Sequence, residues 1–416
     1  MNSYLLLVLV FWTITAIDGL NCSNENYLRP GHCEINQQNI LVTDRFNLPG
    51  NQELIDLFIF DSVMPVMPEK VFVYNPKLIF VSIYGSRTTE ITKNKFANAI
   101  QLQKLFIQNN NISKLTNNTF INCKSLKNLE LNSNKLITVD AAVFHGLGSL
   151  ILLSISDNLI DYFPSTILNE LVNLKTLIVN GNKLKYIDDN FFKNNINLIY
   201  VDLSQNQLKT VPVNLFSKLQ FMNSIYLQNN SLTNVENIDV EFLEISNNKL
   251  TTFFIGSKVQ NLHLQNNFIE SLQCSKVLNV VFFGAGNNSL NNFNCIADMN
   301  FLTYLDVSSN KFKKPVSNQF VNLTHLRTFH LNNAKNAIQW KASFFKGLNN
   351  LFILHIDKLI TYRFVKNNLP TLYMLGLKTK KWKCDFLQRV TSTLNRQNIT
   401  LLKSSSAETH VCQSVI

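Results

Sequence analysis

Seven cysteines, seven histidines and 27 carboxylates are the side chains of this 416-residue sequence that could do chemistry. No catalytic spacing gathers them: the sequence has no glycine-rich phosphate loop, no His-Glu-x-x-His and no Cys-x-x-Cys. The cysteines do allow cross-linking. Cys22 and Cys33 lie near one end, Cys384 and Cys412 near the other, and Cys274 and Cys295 stand between them. Cys123 is left over, and an odd cysteine in a secreted chain can bridge two molecules. Asp306, His330 and His355 could hold a zinc ion or respond to pH through their imidazoles. They could equally be polar residues on a polar face. The elements that place these residues decide between such readings.

Those elements are repeats. Leu126 to Leu136, LKNLELNSNKL, reads Leu-x-x-Leu-x-Leu-x-x-Asn-x-Leu. The same frame starts at Leu54, Leu78, Leu102, Leu126, Leu150, Leu174, Leu198 and Met222, always 24 residues apart. It continues from Val240, Val259, Val280, Leu302, Leu326, Leu351 and Leu372, with steps of 18, 19, 21, 22, 24, 25 and 21 residues. A register held this long is the signature of stacked coils. Within a coil, Leu129 and Leu131 alternate with Glu130, so a short strand buries two residues and exposes the one between. Asn134, and its equivalents Asn110, Asn158, Asn182, Asn206, Asn230, Asn248, Asn267, Asn288 and Asn310, can satisfy buried backbone groups of neighbouring coils. A second apolar pair, such as Phe144 and Leu147, closes the outer side of the long coils. The short coils from Val240 to Val280 have no room for it and are expected to form a tight arch there.

The pattern resembles the leucine-rich repeat family over roughly residues 54–382. The resemblance implies an α/β fold: a right-handed leucine-rich-repeat solenoid, or horseshoe, of about fifteen repeats with N- and C-terminal disulfide caps. The expected divisions are 1–19 signal peptide, 20–53 N-terminal cap, 54–379 repeats and 380–416 C-terminal cap. Residues 5–17 are apolar and short, as in a secretory signal peptide, with a signal anchor as the alternative. No second apolar stretch follows, so no membrane span is expected. Cys22 and Cys33 are expected to pair in the first cap, and Cys384 and Cys412 in the second. Lys380 to Phe386 resembles the C-terminal flanking motif of extracellular leucine-rich repeats, without its Asn-Pro and with Phe386 in place of its second cysteine. One bridge is therefore lost, and Phe386, Leu387, Val390 and Leu394 fit one face of a helix packed on the last coil.

Cys274 and Cys295 each fall five residues after the last apolar position of their motif, Ile269 and Leu290. They hold the same place on adjacent coils, which stack at about the 4.8 Å strand spacing, within disulfide reach. A staple is expected, with two buried thiols as the alternative. Cys123 takes the position of Leu147, Leu171 and Leu219, where a free thiol fills a core slot. Seven Asn-x-Ser/Thr acceptors, Asn21, Asn111, Asn117, Asn229, Asn287, Asn322 and Asn398, suit a secreted glycoprotein.

The formal charge of +11 is scattered rather than gathered on one face. That speaks against nucleic acid and leaves only weak binding of acidic glycans. The exposed strand positions should line the concave face. Phe58, Phe60, Phe80, Tyr84 and Phe106 form an aromatic zone near the N-terminus; Tyr200, Asp202, Tyr226, Phe242 and Glu244 form a mixed zone in the middle. Exposed aromatics with few lysines suit protein binding, although strands also favour aromatics for their own sake.

The repeat steps, the apolar leader, the Cys274–Cys295 pair and the reduced cap at Trp382–Cys384 resemble the leucine-rich repeat immune proteins of mosquitoes. The resemblance implies a secreted, extracellular, non-enzymatic protein of the hemolymph, acting in innate immunity without a cofactor or metal. It implies protein partners: a complement-like thioester protein or another leucine-rich repeat protein. The sequence departs from the best-known members, which dimerise through a C-terminal coiled coil and a linking cysteine, and looks like a coil-less branch. The alternatives are an adhesion or signalling protein that binds a cell-surface receptor, and a matrix component that binds glycans.

Overall fold

The computed structural model describes residues 20–21, 31–40, 46–47, 53–68, 70–313, 319–332, 342–357, 365–377 and 384–403. The signal segment 1–19, Cys22, Cys412 and the motif residues 380–383 lie outside them. The chain divides into two compact units, Met1–Leu150 and Ile151–Ile416.

Each repeat start opens onto a strand. In the first unit Asp56–Phe60, Phe80–Tyr84, Lys104–Gln108 and Asn128–Glu130 pair in parallel, each with the next. His32–Asn36 adds a further strand against Asp56–Phe60. In the second unit a parallel series runs from Leu152–Ser154 through Met374–Leu377, and Thr400–Lys403 extends it. These two edge strands carry the sheet into the segments expected as caps.

The register does not drift with repeat length. Asp202 stands beside Tyr226 across a 24-residue step, and Tyr226 beside Glu244 across an 18-residue step. A slip of one residue would turn Ile225 and Leu243, both fully buried, out to water. The strands are therefore pinned by their apolar alternation, and length differences go to the outer side of the coil.

The asparagines fix the stack. Asn206 Nδ2 donates to the carbonyls of Val179 in the preceding coil (3.1 Å) and of Leu203 in its own (3.1 Å), while its Oδ1 accepts the Leu184 N–H (3.0 Å). Asn182, Asn248, Asn267, Asn288 and Asn310 repeat this bridge in the second unit and Asn134 in the first. Backbone groups that turn inward at the end of each strand would otherwise be buried and unpaired. The residue before each of these asparagines is left-handed, for example Ser133 (φ 55°), Gln205 (φ 53°), Asn247 (φ 56°) and Asn287 (φ 56°). Asparagine tolerates that conformation better than most residues, which accounts for the recurring Asn-Asn pairs.

On the outer side, Phe72, Phe96, Phe120 and Phe144 form a buried file in the first unit, with centroids 5.9, 5.2 and 6.4 Å apart. The short coils of the second unit differ from the expected tight arch. Thr252–Ile255 and Ser271–Cys274 form a second pair of parallel strands there. Extended backbone covers the distance with the fewest residues, pairing satisfies its polar groups, and Phe253 and Ile255 turn inward as the apolar filling. The terminal helix, Cys384–Asn395, buries Val390 and Leu394, whereas Phe386 is 38% exposed and does not share the buried face expected for it. No helix of the described residues is long and apolar enough to cross a membrane.

Candidate functional site

The cysteine positions resolve first. Cys274 and Cys295 are joined, with Cα atoms 6.0 Å apart. The two take different backbones at one repeat position: Cys274 ends a strand and Cys295 sits in the helical turn Asn294–Ala297. The staple therefore lies where the outer side changes from strand to helix. Cys33 is buried and disulfide-bonded; its expected partner Cys22, like Cys412, lies outside the described residues. Cys384 opens the terminal helix. Cys123 is free and fully buried, and burial pushes its thiol up to about 12. A thiol held protonated in the core is neither a nucleophile nor a bridge to another chain. Among the acceptor asparagines, Asn117, Asn229, Asn287, Asn322 and Asn398 are exposed and Asn111 is half-buried.

The solvent-facing side of each sheet carries the aromatic residues. In the first unit Phe58 touches His32 (4.4 Å between centroids), Phe60 (6.0 Å) and Phe80 (4.8 Å), and Phe80 meets Phe106 edge-on at 4.9 Å. Lys104 Nζ lies 5.9 Å from the Phe80 centroid. Tyr84 stands in register with Phe60 and is 42% exposed.

The second unit goes further than the mixed zone read from the sequence. Tyr200, Tyr226 and Phe242 are in ring contact, at 5.1 and 5.1 Å. The chain of rings then continues through His263 (5.4 Å), Phe282 (4.5 Å), Tyr304 (4.3 Å, stacked nearly parallel at 3°), His330 (5.5 Å) and His355 (4.4 Å). Eight rings, one per coil, form an unbroken ladder. It zigzags between the first and third residues of successive strands, and every ring is half-buried. Cross-strand aromatic pairs stabilise sheets, but a file this long, half-open to solvent, is also a contact surface.

Carboxylates punctuate the ladder. Asp202, Glu244 and Asp306 each accept the N–H two residues on, from Ser204 (2.9 Å), Ser246 (3.0 Å) and Ser308 (2.9 Å). Burial raises the Asp202 carboxyl above its ordinary value, against the Ser204 hydrogen bonds. Burial, with Asp202 and Tyr226 close by, pushes the Tyr200 phenol up to about 12. Burial also lowers all three imidazoles; Glu244, 3.5 Å from His263, opposes this for His263, and Asp306 opposes it for His330 and His355. Burial thus disfavours the charged form of each imidazole. Asp306, His330 and His355 do stand side by side in register, but the imidazoles belong to the ladder. No group of three His, Cys, Asp or Glu arranged to hold a metal occurs among the described residues.

The sequence profile described as leucine rich repeat matches residues 100–160 and 172–232. The fold is a leucine-rich repeat solenoid. No curated protein matches the chain. Among solved structures, a leucine-rich repeat protein of Leptospira interrogans is 18% identical, with a TM-score of 0.63 over 84% of this chain and 90% of that one. The APL1 leucine-rich repeat domain is 18% identical, with a TM-score of 0.59 over 71% of this chain and 85% of that one. The LRIM1/APL1C complex is 19% identical, with a TM-score of 0.55 over 88% of this chain and 65% of that chain. At these identities the likeness is one of fold.

Within the leucine-rich repeat frame, the sequence placed each exposed strand residue in its column, and the strand pairing keeps those columns. What it missed was the ladder as one object. Tyr200, Tyr226 and Phe242 fell in the mixed zone and His330 and His355 beside Asp306, while His263, Phe282 and Tyr304 belonged to neither group. The signal was there in the alternation of two columns: a ring at the first strand position of one coil is followed by a ring at the third position of another.

Proposed function

We propose that this protein is a secreted, non-enzymatic scaffold of insect innate immunity that binds a protein partner across the ring ladder of its second unit. The ladder carries the reading. Eight contacting rings, half-open to solvent, provide the rigid aromatic area that dominates protein interfaces. The similarity to APL1 and to the LRIM1/APL1C complex, itself an assembly of two proteins, supports an immune setting. The partner is then a complement-like thioester protein or another leucine-rich repeat protein.

The test is capture from native extracellular fluid, without reductant, by the full chain and by a Tyr226→Ala/Phe282→Ala variant. Both residues are half-buried, so their removal spares the core. Recovery of a thioester protein or a second repeat protein by the native chain, reduced about tenfold or more in the variant, is the expected result; aromatic anchors in an interface contribute about 2 kcal/mol or more each. Recovery of a membrane receptor or of matrix alone would favour an adhesion or structural role and overturn the immune reading.

A further inference from the structure

The ladder also says what its occupant carries. We infer that the partner lays an extended segment bearing arginine or lysine side chains across the rings of the second unit. This rests on the reading that the ladder is the binding face.

The first observation is a segregation of charge. The chain has 38 basic and 27 acidic residues. Yet from Leu152–Ser154 to Met374–Leu377 the strands of the second unit contain no lysine or arginine, while Asp202, Glu244 and Asp306 all stand on ladder strands. The ladder strands of this basic protein thus carry carboxylates and no cation of their own.

The second observation is the surplus of acceptors. Each of the three carboxylates spends one oxygen on the N–H two residues on. The other Glu244 oxygen lies 3.5 Å from His263 Nδ1, and burial disfavours the charged form of that imidazole. The surface thus offers carboxylate oxygens beside half-buried rings, and an arginine or lysine side chain meets both: its charged head pairs with the carboxylates and its apolar stem packs on the rings. A polyanion meets neither, so the basic excess of the chain works elsewhere.

The spacing follows from the strand order. Asp202 and Glu244 are two strands apart, Glu244 and Asp306 three. At about 4.8 Å per strand the carboxylates lie about 10 and about 14 Å apart. An extended segment crossing the strands reaches these intervals in about three and four residues.

The experiment uses the full secreted chain and a fluorescent Gly/Ser peptide with arginine at every third position, against the same peptide with glutamine. The arginine peptide should bind about tenfold more tightly or better, and the difference should shrink as salt rises from low to about 0.3 M. The Asp202→Asn/Glu244→Gln/Asp306→Asn variant keeps the side-chain oxygens that accept the backbone N–H groups, and it should lose the preference. Its binding to heparin, a probe for the basic surface elsewhere, should be unchanged. Equal binding of both peptides, or a preference that survives in the triple variant, overturns the inference. If the triple variant still captures the native partner while Tyr226→Ala/Phe282→Ala does not, the cationic occupant is wrong and the binding face stands. If the ring variant captures it undiminished, the binding face itself falls.

Discussion

Replacing Asn206 by alanine isolates what the asparagine ladder contributes. Three of the carbonyls that Asn206 serves keep another donor. Val179 O also accepts Asn182 Nδ2 (3.1 Å), Leu203 O accepts Asn230 Nδ2 (3.0 Å), and Ser204 O accepts the Gly181 N–H (3.1 Å). The Leu184 N–H differs. Among the described residues it donates to Asn206 Oδ1 alone, at 3.0 Å, and Leu184 is 1% exposed. The substitution therefore orphans one buried N–H, at about 1–3 kcal/mol, and weakens three carbonyls slightly. The total is about 2–3 kcal/mol. For a unit of this size that is about 4–6 °C in melting temperature. Asn194→Ala, which removes one exposed amide contact to Asn169 O at 3.0 Å, is the control and should move the midpoint by less than about 1 °C. Calorimetry gives the midpoint, and hydrogen exchange gives protection of the Leu184 amide, which should fall first. An Asn206→Ala midpoint within about 1 °C of the native chain, with Leu184 still protected, would refute the bond-by-bond account and show that the coils relax around the loss.

The Cys274–Cys295 bridge closes a separation of 21 residues. Replacing both with serine should cost about 3 kcal/mol by chain entropy, seen as a midpoint of the second unit lowered by about 6 °C; an unchanged midpoint would mean that the strand pair alone holds the outer side. Acid should destabilise the second unit. Burial holds His263, His330 and His355 below the ordinary imidazole value. Below about pH 6.5 the unfolded chain therefore takes up protons that the folded chain resists. Stability is full above that pH and is lost as the pH falls toward the lowered values. A His330→Phe variant should show a shallower fall between about pH 7 and 5, and a slope identical to that of the native chain would remove the ladder histidines as the cause.

The sequence alone determined the coil. Apolar alternation and a recurring asparagine are local, periodic signals, and they placed each strand and paired each column even where the step shortened from 24 to 18 residues. They also put Cys274 beside Cys295, because equal positions on stacked coils are neighbours. Three features waited for the tertiary structure. The outer strands Thr252–Ile255 and Ser271–Cys274 exist only as a pair, since neither satisfies its backbone without the other. The exposure of Phe386 depends on how the terminal helix settles, which its apolar spacing left open. The ring ladder depends on side-chain directions across eight coils: a ring leaning from one column meets a ring in the next only when stacking brings them within about 5 Å. Periodicity sets which residues face outward; contact between those residues is a property of the stack.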